Sequence, residues 1–367
     1  MDDNQNKNSQ IDVDEIFRRG IKEGASDVHL SNGLPPTIRV TGVLKPLPEF
    51  GKIHDFDIEF FVAKVLNEKQ LGNLYQNKEL DTSYELGNKE RFRMNVFFDR
   101  GKLALTARLI PPRIPTLEEL NLPTTLYEFC KLPHGLVLVT GPAGVGKSST
   151  LAAMINWINN NKNKHILTIE DPIEYAFTSN KSLMRQRELN VDTLSWAGAL
   201  RSALRENVDV ILVGEIRDFP TMELAITATE KGHLVFATIH TYSAAQTLDH
   251  IIGMAPEHQQ AQIRMQIASV LEGVVTQTLI RGVDQSKRFP ALEILLLTNA
   301  VRNTIREGNT HFINNIINTS YDIGMNSMER SLASLVSEGK IELDEALTHT
   351  LNQDDVIRYL KPKKQKQ

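Results

Sequence analysis

The sequence predicts an α/β protein in two parts, a small α+β domain over residues 11–110 and a larger domain over 116–360 built on a mainly parallel sheet. Three observations carry that expectation. A short aliphatic strand, Leu136–Val139, breaks at Gly141 into a glycine-rich loop that runs straight into a helix. After it, apolar strand-like runs alternate with amphipathic helical stretches, the pattern of right-handed crossovers between parallel strands. Before it, residues 111–115 read PPRIP, too proline-rich for helix or strand, and mark a linker between two differently patterned regions.

Composition bounds the function. A chain of 367 residues has room for two domains. Its net charge of −4 gives no global footprint of a nucleic-acid binder. The single cysteine, Cys130, excludes an internal disulfide framework and a cysteine-rich zinc site, and fits a reducing compartment. No charged-then-apolar leader and no apolar run of bilayer length is present, so the expectation is a cytoplasmic protein without a transmembrane segment, reaching a membrane only through a partner.

From the N-terminus, residues 1–10 hold almost nothing to bury and are expected to be disordered. Ile11, Ile16, Phe17 and Ile21 then fall near one face of a helix that Gly24 can end. SDVHL and PTIRVTGVLKPL read as strands, separated by Asn32, Gly33, Pro35 and Pro36. Phe56 to Leu74 returns to helical spacing. DTSYEL, RFRMNVFFDR and KLALTARLIP alternate as antiparallel strands do, with turns at Gly87-Asn88 and Arg100-Gly101. Arg91, Arg93 and Arg108 lie on these strands, where solvation is the default for any one of them.

The loop itself matches G-x-x-x-x-G-K-[ST], whose glycines let backbone N–H groups turn inward around phosphate oxygens. Gly141, Gly144 and Gly146 can take the positive φ such a cradle needs, and Pro142 stiffens it; with Ala143, Val145, Lys147, Ser148 and Ser149 they form the expected ATP-binding set. Lys147 supplies a charge for the β- and γ-phosphates. Ser148 supplies a hydroxyl for Mg²⁺, and the helix starting there its positive dipole end.

The helix Ser148–Asn159 turns Leu151, Met154, Ile155 and Ile158 inward. The strand HILTI ends at Glu170-Asp171-Pro172, a helix follows over Thr193–Arg205, and the strand VDVILV runs into Gly214 and Glu215. Another helix, Thr221–Lys231, stops at Gly232, and the strand HLVFATI ends on His240. Gly141, Glu170, Asp171, Glu215 and His240 therefore share the carboxyl edge of the sheet, where α/β proteins bind ligands. Glu215 is the candidate to orient and polarise attacking water; its alternative is a helix-start carboxylate paired with Arg217. Gly214 stands where a common Walker B strand has Asp, so the metal-side carboxylate must be Glu170 or Asp171, directly or through water. His240 either senses the γ-phosphate or is a satisfied polar residue. Farther on, Glu257–Leu279 reads as one long helical tract, FPALEILLL as a strand, and the rest to Leu360 as helices. The basic tail over 361–367, KPKKQKQ, reads as a solvated, disordered end.

Taken together, GPAGVGKS, LTIEDPIEY, DVILVGEIRD and GHLVFATIHT resemble the Walker A, Asp box, Walker B and His box of the secretion and type IV pilus ATPases, over nearly the whole stretch from Ile11 to Asp354. SDVHL, RFRMNVF and AVRNTIRE (Ala300 to Glu307) are similar to motifs of the PilT retraction branch, and one cysteine cannot make the metal module of the extension branch. Ala143, Val145 and Thr304 depart from the residues usual there, leaving the glycines, Lys147 and Ser148 intact. The resemblance implies a homohexamer of a PAS-like domain joined to a RecA-like ATPase, docked on a PilC-like inner-membrane platform protein, with other pilus ATPases as further candidate partners, and retracting pili. A PilU-like accessory motor or a related secretion ATPase is the near alternative. A RecA-like DNA motor and a non-hydrolysing scaffold are the alternatives of different class; the acidic balance and low aromatic content count against the first, Glu215 against the second.

Two further expectations concern arginines. No lysine or arginine besides Lys147 adjoins the loop, yet transition-state charge usually needs another cation. Arg93 and Arg108, which match the family's interface arginines, are expected to reach ATP bound by a neighbouring subunit. Arg302 and Arg306, four apart in AVRNTIRE, are expected to share one helix face; the resemblance implies that this stretch serves retraction rather than hydrolysis, and the alternative is a surface helix with solvated arginines.

Overall fold

The computed structural model describes residues 11–40, 42–87, 90–110, 113–285, 287–350 and 352–361. The expected disorder of 1–10 and 362–367, Asn88 of one turn, and Pro111-Pro112 of the linker lie outside the described residues. Two units form, residues Met1–Arg113 with Pro172–Ala176, and Ile114–Asp171 with Phe177–Gln367.

In the first unit, α1 (Val13–Lys22) starts where the Asp12 side chain accepts the Asp14 N–H, and it buries Val13, Ile16, Phe17 and Gly20. Then come β1 (Asp27–Ser31), β2 (Thr37–Val40), β3 (Val43–Pro46), α2 (Asp55–Val65), α3 (Glu68–Asn77), β4 (Glu79–Leu86), β5 (Glu90–Asp99) and β6 (Lys102–Ile110). The strands make one antiparallel sheet in the order β3-β2-β1-β6-β5-β4. PTIRVTGVLKPL is thus a hairpin of two strands. The helical stretch expected over Phe56–Leu74 is two helices, because Leu66 turns to extended geometry and Asn67 opens a second capping box with Gln70. The core centres on Phe17, whose ring stacks on Phe92 at 4.6 Å and meets Phe61 edge-on at 5.6 Å.

The second unit runs α4 (Leu126–Lys131), β7 (Gly135–Thr140), α5 (Lys147–Asn161), β8 (His165–Glu170), β9 (Leu183–Glu188), α6 (Trp196–Ala203), β10 (Val210–Val213), α7 (Phe219–Glu230), β11 (Leu234–Ile239), α8 (Ala244–Met254), α9 (Glu257–Val270), β12 (Leu271–Arg281) and β13 (Arg288–Leu296). It closes with α10 (Asn299–Arg306), α11 (Ile313–Thr319), α12 (Met328–Ser337), α13 (Leu343–Thr348) and α14 (Gln353–Leu360). The sheet order is β13-β12-β7-β11-β10-β8-β9, parallel except where β13 pairs with β12. Leu136 and Leu138 of β7 enter one apolar cluster and Val137 and Val139 another, so helices cover both faces and the strand reads as a continuous apolar run. The α/β class expected for this part holds.

One expected element is wrong. Glu257–Leu279 is a helix only to Val270; from Leu271 the chain is strand β12, inserted beside β7. Val274, Val275, Thr276 and Thr278 are β-branched and suit a pleat better than a helix. Gly273 is required there: a Cβ would stand 2.2 Å from the Phe129 ring. A short apolar run following a helix carries no period that separates the two states.

Candidate functional site: a nucleotide loop at the sheet edge

Strand β7 ends at Thr140 and the chain turns at Gly141 with φ 137°, where a Cβ would fall 2.2 Å from the Gln277 carbonyl oxygen. Gly144 and Gly146 follow at φ 79° and 90°, and α5 begins at Lys147. Pro142, Ser148 and Ser149 are half-buried, Ala143 and Gly144 form the exposed tip, and Val145 points into the protein. The Lys147 side chain is buried, its Nζ donating to the carbonyls of Gly141 and Pro142 at 2.8 Å each. The loop is thus a ring closed on its own lysine, with the first amides of α5 beside it.

The neighbouring strands bring the other predicted residues to this edge. His240, just past β11, lies with Nδ1 3.4 Å from Lys147 Nζ and Nε2 3.2 Å from Glu215 Oε1. The other Glu215 oxygen accepts from Arg217, through Nε and a terminal nitrogen, both at 2.7 Å. Arg217 in turn stands 4.0 Å from Asp171. The pairing with Arg217 that the sequence offered as an alternative is therefore present together with the approach to the loop: Lys147, His240, Glu215, Arg217 and Asp171 form one series. Glu170, buried at the end of β8, accepts from Thr168 Oγ1 at 2.6 Å and Gln186 Nε2 at 3.2 Å. The glycine before Glu215 has a local cause. A Cβ on Gly214 would lie 3.2 Å from both the Ile169 carbonyl and the Trp196 ring, so a side chain at this strand end would make those neighbours give by a few tenths of an ångström.

Mg²⁺ fits the donors here in one way. Among the described residues no group of three or more His, Cys, Asp or Glu side chains could hold a metal. A magnesium ion held chiefly by phosphate oxygens and water needs only one or two protein oxygens, which the Ser148 hydroxyl and a nearby carboxylate would supply.

Arg93 and Arg108 belong to the first unit, where they are direct cross-strand partners on β5 and β6. Arg108 Nε donates to Asp27 Oδ1 at 2.9 Å while its side chain remains 70% exposed. Burial alone would push the Asp27 carboxyl up, but hydrogen bonds from Arg108 and Ser26 more than offset it and hold the carboxyl below its ordinary range.

Gln277 is the site residue that sequence reasoning missed. It lies on β12, buried, and bonds both Val145 O and Thr150 Oγ1 across the loop. The signal for it was a buried-looking glutamine between two threonines in a β-branched run. Assigning that run to a helix hid it.

Comparison with known proteins shows what this chain is similar to. A family described as Type II/IV secretion system protein matches residues 105–358. The type IV pilus retraction ATPase PilT of Pseudomonas aeruginosa is 42% identical over 336 residues, covering 92% of this chain and 97% of that protein. A twitching motility protein of Neisseria gonorrhoeae is 45% identical over 323 residues, covering 88% and 86%. A crystal structure of the pilus retraction motor PilT with bound ADP superposes with a TM-score of 0.88 at 40% identity, covering 94% of this chain and 99% of that one. No described helix is long and apolar enough to cross a membrane. The chain belongs to the type IV pilus retraction ATPases, within the type II/IV secretion system protein family.

Proposed function

We propose that this chain assembles as a homohexameric motor, docked on an inner-membrane platform protein at the cytoplasmic face, and spends ATP hydrolysis on removing pilin subunits from a type IV pilus. The observation that carries the catalytic part is the series from Lys147 through His240 to Glu215, with contacts of 3.4 Å and 3.2 Å at the strand ends.

In this reading the loop amides and Lys147 bind the β- and γ-phosphates, and Ser148 with a carboxylate of the Glu170-Asp171 pair would hold Mg²⁺, which would offset phosphate charge. Glu215 accepts a proton from water as the water oxygen bonds to the γ-phosphorus; the bond from that phosphorus to the β–γ bridging oxygen breaks, leaving ADP and phosphate. His240, 3.2 Å from Glu215 on one side and 3.4 Å from Lys147 on the other, reports whether a γ-phosphate is present. Arg217 holds the second Glu215 oxygen and so orients the carboxylate. Arg93 and Arg108 act on the nucleotide of a neighbouring subunit, where added positive charge stabilises the transition state.

The Glu215→Gln protein should bind ATP and turn it over at least ~10²-fold more slowly, the usual scale for losing a general base. Turnover near that of the unmodified protein would move the role to Glu170 or another carboxylate. Assays with and without single-stranded DNA separate this motor from a DNA-driven one, which DNA would stimulate. In cells, deletion of the gene should leave excess pili that no longer retract; a bald cell would point to assembly instead.

A further inference from the structure

Gln277 lies on β12 with only 3% of its surface exposed, against the phosphate loop. Its Nε2 donates to Val145 O at 2.7 Å, and its Oε1 accepts from Thr150 Oγ1 at 2.7 Å. The next residue back, Thr276, meets Thr140 hydroxyl to hydroxyl at 2.9 Å, which ties β12 to the last residue of β7. One side chain therefore bridges the loop and the first turn of the helix that follows it.

The peptide joining Val145 to Gly146 is planar and trans, so its C=O and N–H point in opposite directions. With the carbonyl drawn onto Gln277, the Gly146 N–H is turned away from β12, to the concave side of the loop where successive amides gather around an anion. Without that bond, Gly146, free of a Cβ, could rotate the peptide and bury the donor. Resting on the nucleotide-binding reading above, we propose that Gln277 is a positioning residue for phosphate: it pins the Val145–Gly146 peptide so that the loop presents its amide, and Thr150 holds the glutamine in register for that task.

The role is in binding, so it should appear in affinity and leave the chemical step alone. The experiment compares Gln277→Met, Thr150→Val and Thr150→Ser with the unmodified chain, by calorimetric titration with ADP and by steady-state ATP turnover. Gln277→Met should raise the Kd for ADP and the KM for ATP by about 10-fold, the scale of one lost buried hydrogen bond and its unpaired carbonyl, with kcat within about twofold. Thr150→Val should raise both by about threefold, and Thr150→Ser, which keeps the hydroxyl, should leave them unchanged. Thr150 Oγ1 also reaches the Gly146 carbonyl at 3.1 Å, so the double variant Gln277→Met with Thr150→Val should weaken ADP binding by less than the product of the two single effects, the shared part being what the threonine does through the glutamine.

Kd and KM within about twofold of the unmodified values in both Gln277→Met and Thr150→Val would overturn the proposal, as would a fall in kcat at unchanged KM. If Gln277→Met melts below the assay temperature, Thr150→Val against Thr150→Ser decides by the same criterion. Failure of the unmodified chain to bind ADP would sink the nucleotide reading itself, an outcome distinct from normal binding that Gln277→Met leaves intact.

Discussion

Arg302 and Arg306 stand four residues apart on α10, yet their surroundings differ. Arg302 donates through one terminal nitrogen to the carbonyls of Ala268 and Ser269, both at 2.9 Å, and through the other to Glu272 at 2.8 Å. It closes the C-terminus of α9 and is only 16% exposed. Arg306 is exposed and reaches no farther than Asn303. Spacing puts both on one helix, but only Arg306 is solvated as the surface-helix alternative has it. Replacing Arg302 with Ala strips two carbonyls and a carboxylate of a charged donor and should cost about 2–4 kcal/mol of stability. Arg306→Ala should stay within about 0.5 kcal/mol. Urea unfolding of the two single variants checks this, and equal losses would contradict it. A retraction defect is then informative only in Arg306→Ala, where the fold is intact.

At the scale of elements, β13 and the start of α8 are joined by a buried carboxylate. Glu293 of β13 accepts the Ala244 N–H at 2.6 Å, four residues after His240. Burial pushes its carboxyl up to about 7 from an ordinary 4.5; the Ala244 N–H pulls the other way, and the charge of Glu329 adds to the rise. A folded state that keeps this proton to higher pH than the unfolded chain binds more protons between the two values. Its contribution to stability is therefore full below the unfolded value and is lost as pH climbs through the folded one, by about 3 kcal/mol in all. Glu293→Gln retains an acceptor for Ala244 and cannot ionise. It should match the unmodified protein near pH 4 and exceed it by about 3 kcal/mol at pH 8. Parallel pH slopes for the two proteins in chemical unfolding would refute the assignment.

For the whole molecule, we propose that the nucleotide site of one copy draws its added cations, Arg93 and Arg108, from another copy of the chain. Arg93 and Arg108 form a cross-strand pair, and Asp27 anchors Arg108 at one nitrogen while most of its side chain faces solvent. Asp27 thus fixes the direction of Arg108 while leaving its terminal nitrogens largely in solvent. Mixing Lys147→Ala, whose arginines are intact, with Arg93→Ala/Arg108→Ala, whose loop is intact, should restore part of the ATP turnover that each lacks alone. Interfaces with two good halves exist only in the mixture. If mass measurements confirm mixed rings and turnover stays at background, delivery between subunits is excluded.

The nucleotide loop was legible because its chemistry is local. Glycines at set intervals, a lysine and a hydroxyl lie within one turn of chain, and the positive φ values follow from residue type. The alternation that gave the parallel sheet also placed Glu215, Asp171 and His240 at one edge, since strand ends in such a sheet converge whatever lies between them. Gln277 was beyond reach: its partners Val145 and Thr150 are 132 and 127 residues away, and no periodicity records a contact across that distance. The ambiguity of Leu271–Arg281 has the same origin, for an apolar run becomes helix or strand according to what it packs against. Arg302 reads as a solvated charge until α9 ends beside it. Chain-local geometry determined the phosphate cradle, and only tertiary packing decided what braces it, because hydrogen bonds between distant segments depend on where the sheet sets its strands.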